Sequence, residues 1–187
     1  MDSLFHFVFP IIAVLAARIN IKHIIKTSVA AAAITVLLDI DHFIGIGRTT
    51  LHNIFITVLI PLLLLYLAFH FKTNRYVKGF FFLLLIFLSS HLFLDLFSSD
   101  GGSGIGISEG SGVALFYPLS LNAYSVNFNI EIQQGYIASS LGLGILLYFI
   151  IIIIPCLFLD DIIEISEKKH ENLRKAANEF FKRTIKD

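Results

Sequence analysis

The sequence predicts an all-α, integral-membrane helical bundle of about five transmembrane helices followed by a C-terminal amphipathic helix, and three observations carry that expectation. Apolar residues make up 56% of the 187 positions and charged residues only 15%, with a mean hydropathy of +0.81, far from the composition of a soluble domain. The apolar residues are gathered into runs that approach the roughly 20 residues a helix needs to cross a bilayer. Finally, thirteen of the fourteen basic residues fall at alternate ends of those runs, as expected when Lys and Arg are kept on the cytoplasmic side.

The first run, Ser3 to Ala17, carries His6 near its start. A cleaved secretory leader would need a basic start, whereas Asp2 and no Lys or Arg precede the run, so it is read as a helix. The second, Ile24 to Ile40, is rich in Ala, which favours close helix contact in a bilayer. It is short for a span and leaves Asp39 and Asp41 recessed near the interface. The third and fourth, His52 to Phe71 and Val77 to Phe97, are of spanning length, with Pro61 placed to bend the third. Gly101 to Gly112, G-G-S-G-I-G-I-S-E-G-S-G, reads as a flexible loop by composition, equally a lid, a natural insertion or an engineered linker. The fifth run, Tyr136 to Leu159, is the most lipid-like and has no ionisable side chain except tyrosine. From Asp160 onward seven basic and seven acidic residues surround Leu173, Ala176, Ala177, Phe180 and Phe181 at helical spacing, an amphipathic helix on or near the membrane.

With five spans, Arg18, Lys22, Lys26, Lys72, Arg75, Lys78 and the tail share one face, and Arg48 alone lies on the other. The expected protein is therefore a multi-pass inner-membrane protein with its N-terminus outside and its C-terminus cytoplasmic. The same threading brings His6, Asp39, Asp41, His42, His52, His91 and Asp95 to the outer face. Ionisable groups at membrane depth are costly unless paired, hydrated or bound to an ion. Imidazole and carboxylate are ligands for divalent metals, and the single Cys156 excludes a cysteine site or an internal disulfide. His91 and Asp95, four apart, share a helix face; alone, such a pair is as readily a structural hydrogen bond.

The full set suits a divalent metal, zinc first and manganese or magnesium as alternatives, with one ion or two. Bound metal would acidify a water and polarise a phosphoryl or carbonyl oxygen, with Asp41 available as general base. Arg48 suits a forked contact to an anionic substrate group, or equally the neutralisation of Asp39 or Asp41.

An N-terminal His, the stretch L-D-I-D-H followed by Arg48 and His52, S-S-H-L-F-L-D-L around His91 and Asp95, a Gly-containing loop and F-Y-P-L-S from Phe116 to Ser120 together resemble the YdjM-like family. Its members are described as inner-membrane-associated metal-dependent hydrolases, and some are called LexA-binding. The resemblance covers residues 1–160 and implies a membrane-embedded hydrolase-like domain there, with 161–187 as a charged cytoplasmic tail. It implies His6, Asp39, Asp41, His42, His52, His91 and Asp95 as the polar motif. Many members have a His directly before the Arg, where this chain has Gly47, which puts one ligand in doubt. The Gly-rich loop is longer than in the pattern, which bears on substrate access.

A more distant similarity, to the zinc-dependent phospholipase C and nuclease group, points to phosphoester substrates by analogy. The leading expectation is a hydrolase of a phosphoester or lipid-like substrate at the outer interface, with Tyr117, Tyr124 and Phe128 at its rim. An ion or proton transporter would place ionisable residues in mid-span, and a non-catalytic interaction protein would use the tail to bind a cytosolic partner. Membrane lipids are expected partners, and zero net charge gives no argument for nucleic acid.

Overall fold

The computed structural model describes residues 3–19, 21, 23–43, 50–97, 104–132 and 135–184. Its centre is α5, Arg75–Phe97, which packs against α2 (Ile24–Leu37), α4 (Ile60–His70) and α6 (Ser140–Leu157), with α1 (Ser3–Ala16) closing the bundle between α2 and α6. The two longest apolar helices start at side-chain caps. Asn74 accepts from the Val77 amide at the start of α5, and Ser139 accepts from the Gly142 amide at the start of α6.

Burial follows helical stripes. In α1 the exposed residues are Leu4, Val8, Ile12, Leu15 and Ala16, while His6, Pro10, Ala13 and Val14 face inward. The inward stripe of α2 is Thr27, Ser28, Ala31, Ala32 and Thr35, small residues that let its backbone approach α5. The hydroxyls of Thr27, Ser28 and Thr35 bond back to carbonyls of their own or the preceding turn, so they bring no unmet polar groups. In α6 a four-residue period of Ser140, Gly144, Tyr148, Ile152 and Cys156 is buried. A Cβ at Gly144 would lie 2.6 Å from the Cβ of Phe97, so only glycine lets α6 meet α5 there.

The two long helices differ in environment. In α5, 61% of the apolar window is buried against protein, and in α6 only 28%. Both are long and apolar enough to cross a membrane; α1, α2 and the Phe55–His70 segment are shorter apolar helices.

Three expectations need correction. The fold is mostly helical but not all-α, because a three-stranded antiparallel sheet, β1 (Gly104–Val113), β2 (Tyr124–Ile132) and β3 (Gly135–Ala138), lies between α5 and α6. Most of the Gly101 to Gly112 stretch is therefore strand rather than flexible loop. Its glycines alternate with Ile105 and Ile107, which gives a strand of period two, and Gly112, at φ +114°, sits so close to the Tyr124 carbonyl that no side chain fits. The fifth apolar run does not begin as helix either: Tyr136 to Ala138 pair with β2, and Ser139 starts α6.

The third apolar run opens not as an α-helix but as a π-helical segment, Phe55–Leu59, just before Pro61. Pro61 has no N–H and its ring crowds the carbonyl four residues back, and a wider turn relieves that conflict. The tail forms α7, Leu159–Thr184, whose start is docked on the bundle rather than free: Leu159 and Ile163 are buried, Arg75 pairs with Asp160 at 2.8 Å, and Lys78 pairs with Glu167 at 2.7 Å. The apolar side chains from Leu173 to Phe181 lie outside the described residues. A cavity of about 310 Å³ sits at this seam, lined by Phe69, Lys72, Arg75, Lys78 and Glu167, far from the histidines discussed next.

Candidate metal centre

At the other end of α5, side chains from five parts of the chain meet. His91 and Asp95 lie one turn apart on the buried face of α5, and Asp39 follows the last turn of α2, its amide bonded to the Val36 carbonyl at 3.0 Å. Asp41 belongs to α3, a single turn at Ile40–Phe43, and His6 comes from the inward stripe of α1. His52 precedes the π-helical segment. Its neighbour Asn53 fixes that start by accepting from the amides of Phe55 and Ile56 and donating to the Thr50 carbonyl. The Ile54 amide also bonds the Leu115 carbonyl, tying the segment to the chain that follows β1.

Two carboxylate oxygens approach a pair of imidazole nitrogens. His52 Nε2 and His91 Nε2 face each other at 3.0 Å. Asp39 Oδ1 lies 3.5 Å from His52 Nε2 and 3.3 Å from His91 Nε2, and Asp95 Oδ2 lies 3.2 Å and 3.3 Å from the same two atoms. A tetrahedral ion with ligand bonds of about 2.0–2.1 Å spaces its ligand atoms about 3.3–3.4 Å apart. The nitrogen–nitrogen and nitrogen–oxygen separations are close to that spacing, with Asp39, His52 and His91 forming one group able to hold an ion.

Behind His52, Asp41 Oδ2 accepts from Nδ1 at 2.8 Å and from the Leu51 amide at 3.3 Å. This contact selects the tautomer whose Nε2 lone pair points at the cluster, the usual support of a metal-bound imidazole. Two imidazole nitrogens and two carboxylate oxygens this close repel one another unless a proton or a cation lies among them, and the side chains are at most 10% exposed.

His6 stacks on His91, ring centroids 3.9 Å apart. Ligand atoms of His6, His91 and Asp95 form a second group within 4.8 Å of one another, beside the group of Asp39, His52 and His91. The Nδ1 atoms of His6 and His91 are buried with no hydrogen-bond partner among the described residues, as is the hydroxyl of Tyr148, whose ring meets His6 edge-on at 6.1 Å.

Of the residues singled out from sequence, the structure thus brings His6, Asp39, Asp41, His52, His91 and Asp95 together. The side chain of His42 and all of Arg48 lie outside the described residues. Tyr124 begins β2 and packs edge-on against Phe116, and Phe128 is paired with Ile105 in the sheet. Sequence reasoning missed Asn53 and Tyr148. A lone tyrosine in the aliphatic run from Leu146 to Ile154 was the available signal for the second.

A helical membrane protein with a buried imidazole–carboxylate cluster at one end of its central helix is the class these features define. Residues 1–160 match the model of the YdjM inner membrane protein family, and the chain belongs to that family, in agreement with the resemblance carried by its D-x-D-H and S-x-H-L-x-x-D-L stretches. No curated protein and no solved structure matches it.

Proposed function

We propose that this protein is a membrane-embedded, metal-dependent hydrolase acting on a phosphoester or lipid-like substrate. The observation that supports it most is the gathering of Asp39 Oδ1 and Asp95 Oδ2 within 3.5 Å of both His52 Nε2 and His91 Nε2, which lie 3.0 Å apart. These four residues hold a divalent ion, zinc by the nitrogen–oxygen donor set. When bound, the ion polarises a phosphoryl or carbonyl oxygen and acidifies water. In this reading Asp41 orients His52 rather than acting as the base, since its Oδ2 is engaged by His52 Nδ1 and the Leu51 amide on the side of the ring away from the cluster. His6 supplies a further nitrogen on the α1 side, where a second ion would fit. Arg48 contacts the anionic group of the substrate.

The five-span arrangement belongs to the same proposal. A helix of 14 residues, the length of α1 and of α2, rises only about 21 Å, less than the roughly 30 Å hydrocarbon core. Their site ends therefore stop inside the bilayer, which recesses the cluster below the surface that lipid substrates reach. The basic residues at the far end of α5 orient that end to the cytoplasm, the cluster and the N-terminus to the outside.

Elemental analysis of the purified protein, followed by a phosphoester and lipid panel with and without chelator, tests the chemistry. The expected result is stoichiometric divalent metal and hydrolysis that chelation abolishes; protein that takes up no divalent ion on reconstitution would sink the reading. Cysteines at Glu131 and Lys175, with Cys156 replaced by Ala, should label from outside and inside respectively, and labelling of both from one side removes the five-span arrangement.

A further inference from the structure

The sheet presents large aliphatic side chains outward in a way the metal cluster does not explain. On β1, Ile105 is 76% and Ile107 72% exposed, both on one strand face. In the turn before β2, Leu119 is 79% and Leu121 73% exposed, beside an exposed Phe116. Isolated exposed apolar residues are ordinary, but a concentration of this kind marks a surface that meets something apolar.

Three features identify the partner as lipid. First, the sheet is fixed to the end of α6, which is long and apolar enough to cross a membrane and is only 28% buried by protein. The Phe128 amide donates to Ser140 Oγ at 2.7 Å, and the Ser140 amide donates to Asn129 Oδ1 at 3.0 Å, pinning β2 to the first turn of α6. The next residue, Leu141, begins the exposed apolar side of α6 that continues through Leu146, Ile150 and Ile154. The sheet therefore stands at headgroup level, continuous with a lipid-facing surface. Second, from Gly104 to Ile130 the chain carries a single charged residue, Glu109, two positions beyond Ile107, whereas a water-facing protein interface carries a polar, charged rim. Third, aliphatic side chains bordered by Phe116, Tyr117 and Tyr124 have the composition of a membrane interface.

We propose that the Ile105–Ile107 face of β1 and the Phe116–Leu121 turn insert into the lipid leaflet at the cluster end of the bundle. The sheet is then a membrane-dipping element rather than a solvent-exposed loop. The inference rests on the sheet and α6 and holds whether or not the protein is a hydrolase.

The test uses full-length protein in phosphatidylethanolamine–phosphatidylglycerol nanodiscs, with Cys156→Ala and single cysteines at Ile107 or Leu119 carrying an environment-sensitive fluorophore. A label at Glu171, exposed on α7, serves as the aqueous control. Both sheet labels should lose fluorescence to lipids bearing a nitroxide high on the acyl chain and resist aqueous iodide, with the reverse at Glu171. Quenching of the sheet labels by iodide alone would put this face in water, and protection from both quenchers would put a second copy or another protein on it; either overturns the proposal. Unlabelled wild-type protein provides a check free of substitution: photoactivatable acyl chains should cross-link within residues 105–107 and 116–121, and cross-links confined to the helices would count against insertion.

Discussion

The two ends of α5 both bury polar groups, and they solve the problem differently. At the Arg75 end, a nearly buried Lys78 ammonium meets the Glu167 carboxylate and lies 5.4 Å from the centre of the Phe69 ring, while Arg75 meets Asp160. Donors face acceptors there and opposite charges cancel, so the end is complete as it stands and fastens α7 to the bundle. About 20 Å along the helix, at the rise of 1.5 Å per residue, His91 and Asp95 join His52 and Asp39, a set that coheres only with a proton or a cation among its atoms. Buried polarity is thus not a functional signal in itself. Convergence of like donors is, because packing alone gives no reason to assemble it.

Substitutions at the two ends should therefore separate. The largest effect is expected from His91→Ala or Asp95→Ala, which should weaken metal binding by more than about 100-fold, since even supporting partners of a ligand are worth roughly 10–100-fold. Equilibrium dialysis against a metal buffer reads this, and full occupancy in both variants would make the pair structural. Asp41→Ala removes the support but keeps the four ligand atoms, so affinity should fall by about 10–100-fold with the bundle still inserted. A loss as large as that of His91→Ala would promote Asp41 to a ligand.

At the other end, Lys78→Ala strands a half-exposed Glu167. It should cost roughly 1–3 kcal/mol in thermal unfolding, less than a fully buried pair, and leave metal content untouched. Arg75→Gln, breaking a more exposed pair, should cost at most about 1 kcal/mol, and that cost should shrink in high salt. A drop in metal content from either substitution would mean that the two ends are coupled.

How much of this was legible beforehand depends on the range of the interactions involved. The helices could be read because an apolar run states its own structure, and Asp39, Asp41, His52, His91 and Asp95 stood out because such groups are expensive among apolar neighbours. The sheet could not be read in the same way. The glycines of β1 suggest flexibility, and its order comes from pairing Ile105 with Phe128 and Ile107 with Val126, some twenty residues away. Nor could the split of roles between Asp39 and Asp41, two positions apart, since it depends on which carboxylate the short turn of α3 aims at Nδ1 of His52 and which at Nε2. Asn53 carries no signal of its own in the sequence, and only the amides of Phe55 and Ile56 mark it as the cap beside a cluster histidine.

The wide turn at Phe55–Leu59 makes residue number as important as residue identity. Its closing bond, from the Ile60 amide to the Phe55 carbonyl, spans one residue more than an α-turn. Downstream, Pro61, Leu65 and Ala68 keep α4 seated on the bundle, while upstream the chain must deliver His52. Removing a single residue from this segment would let an ordinary α-turn form and swing the upstream end by about 100° and 1.5 Å. The imidazole would then leave the cluster although every ligand was still encoded. A Val58 deletion should insert normally but hold metal no better than His91→Ala, and retention of metal would show that the loop before Asn53 can absorb the shift. In that sense the spacing between His52 and Pro61 acts as a phase setting for the centre, one that no substitution scan would detect.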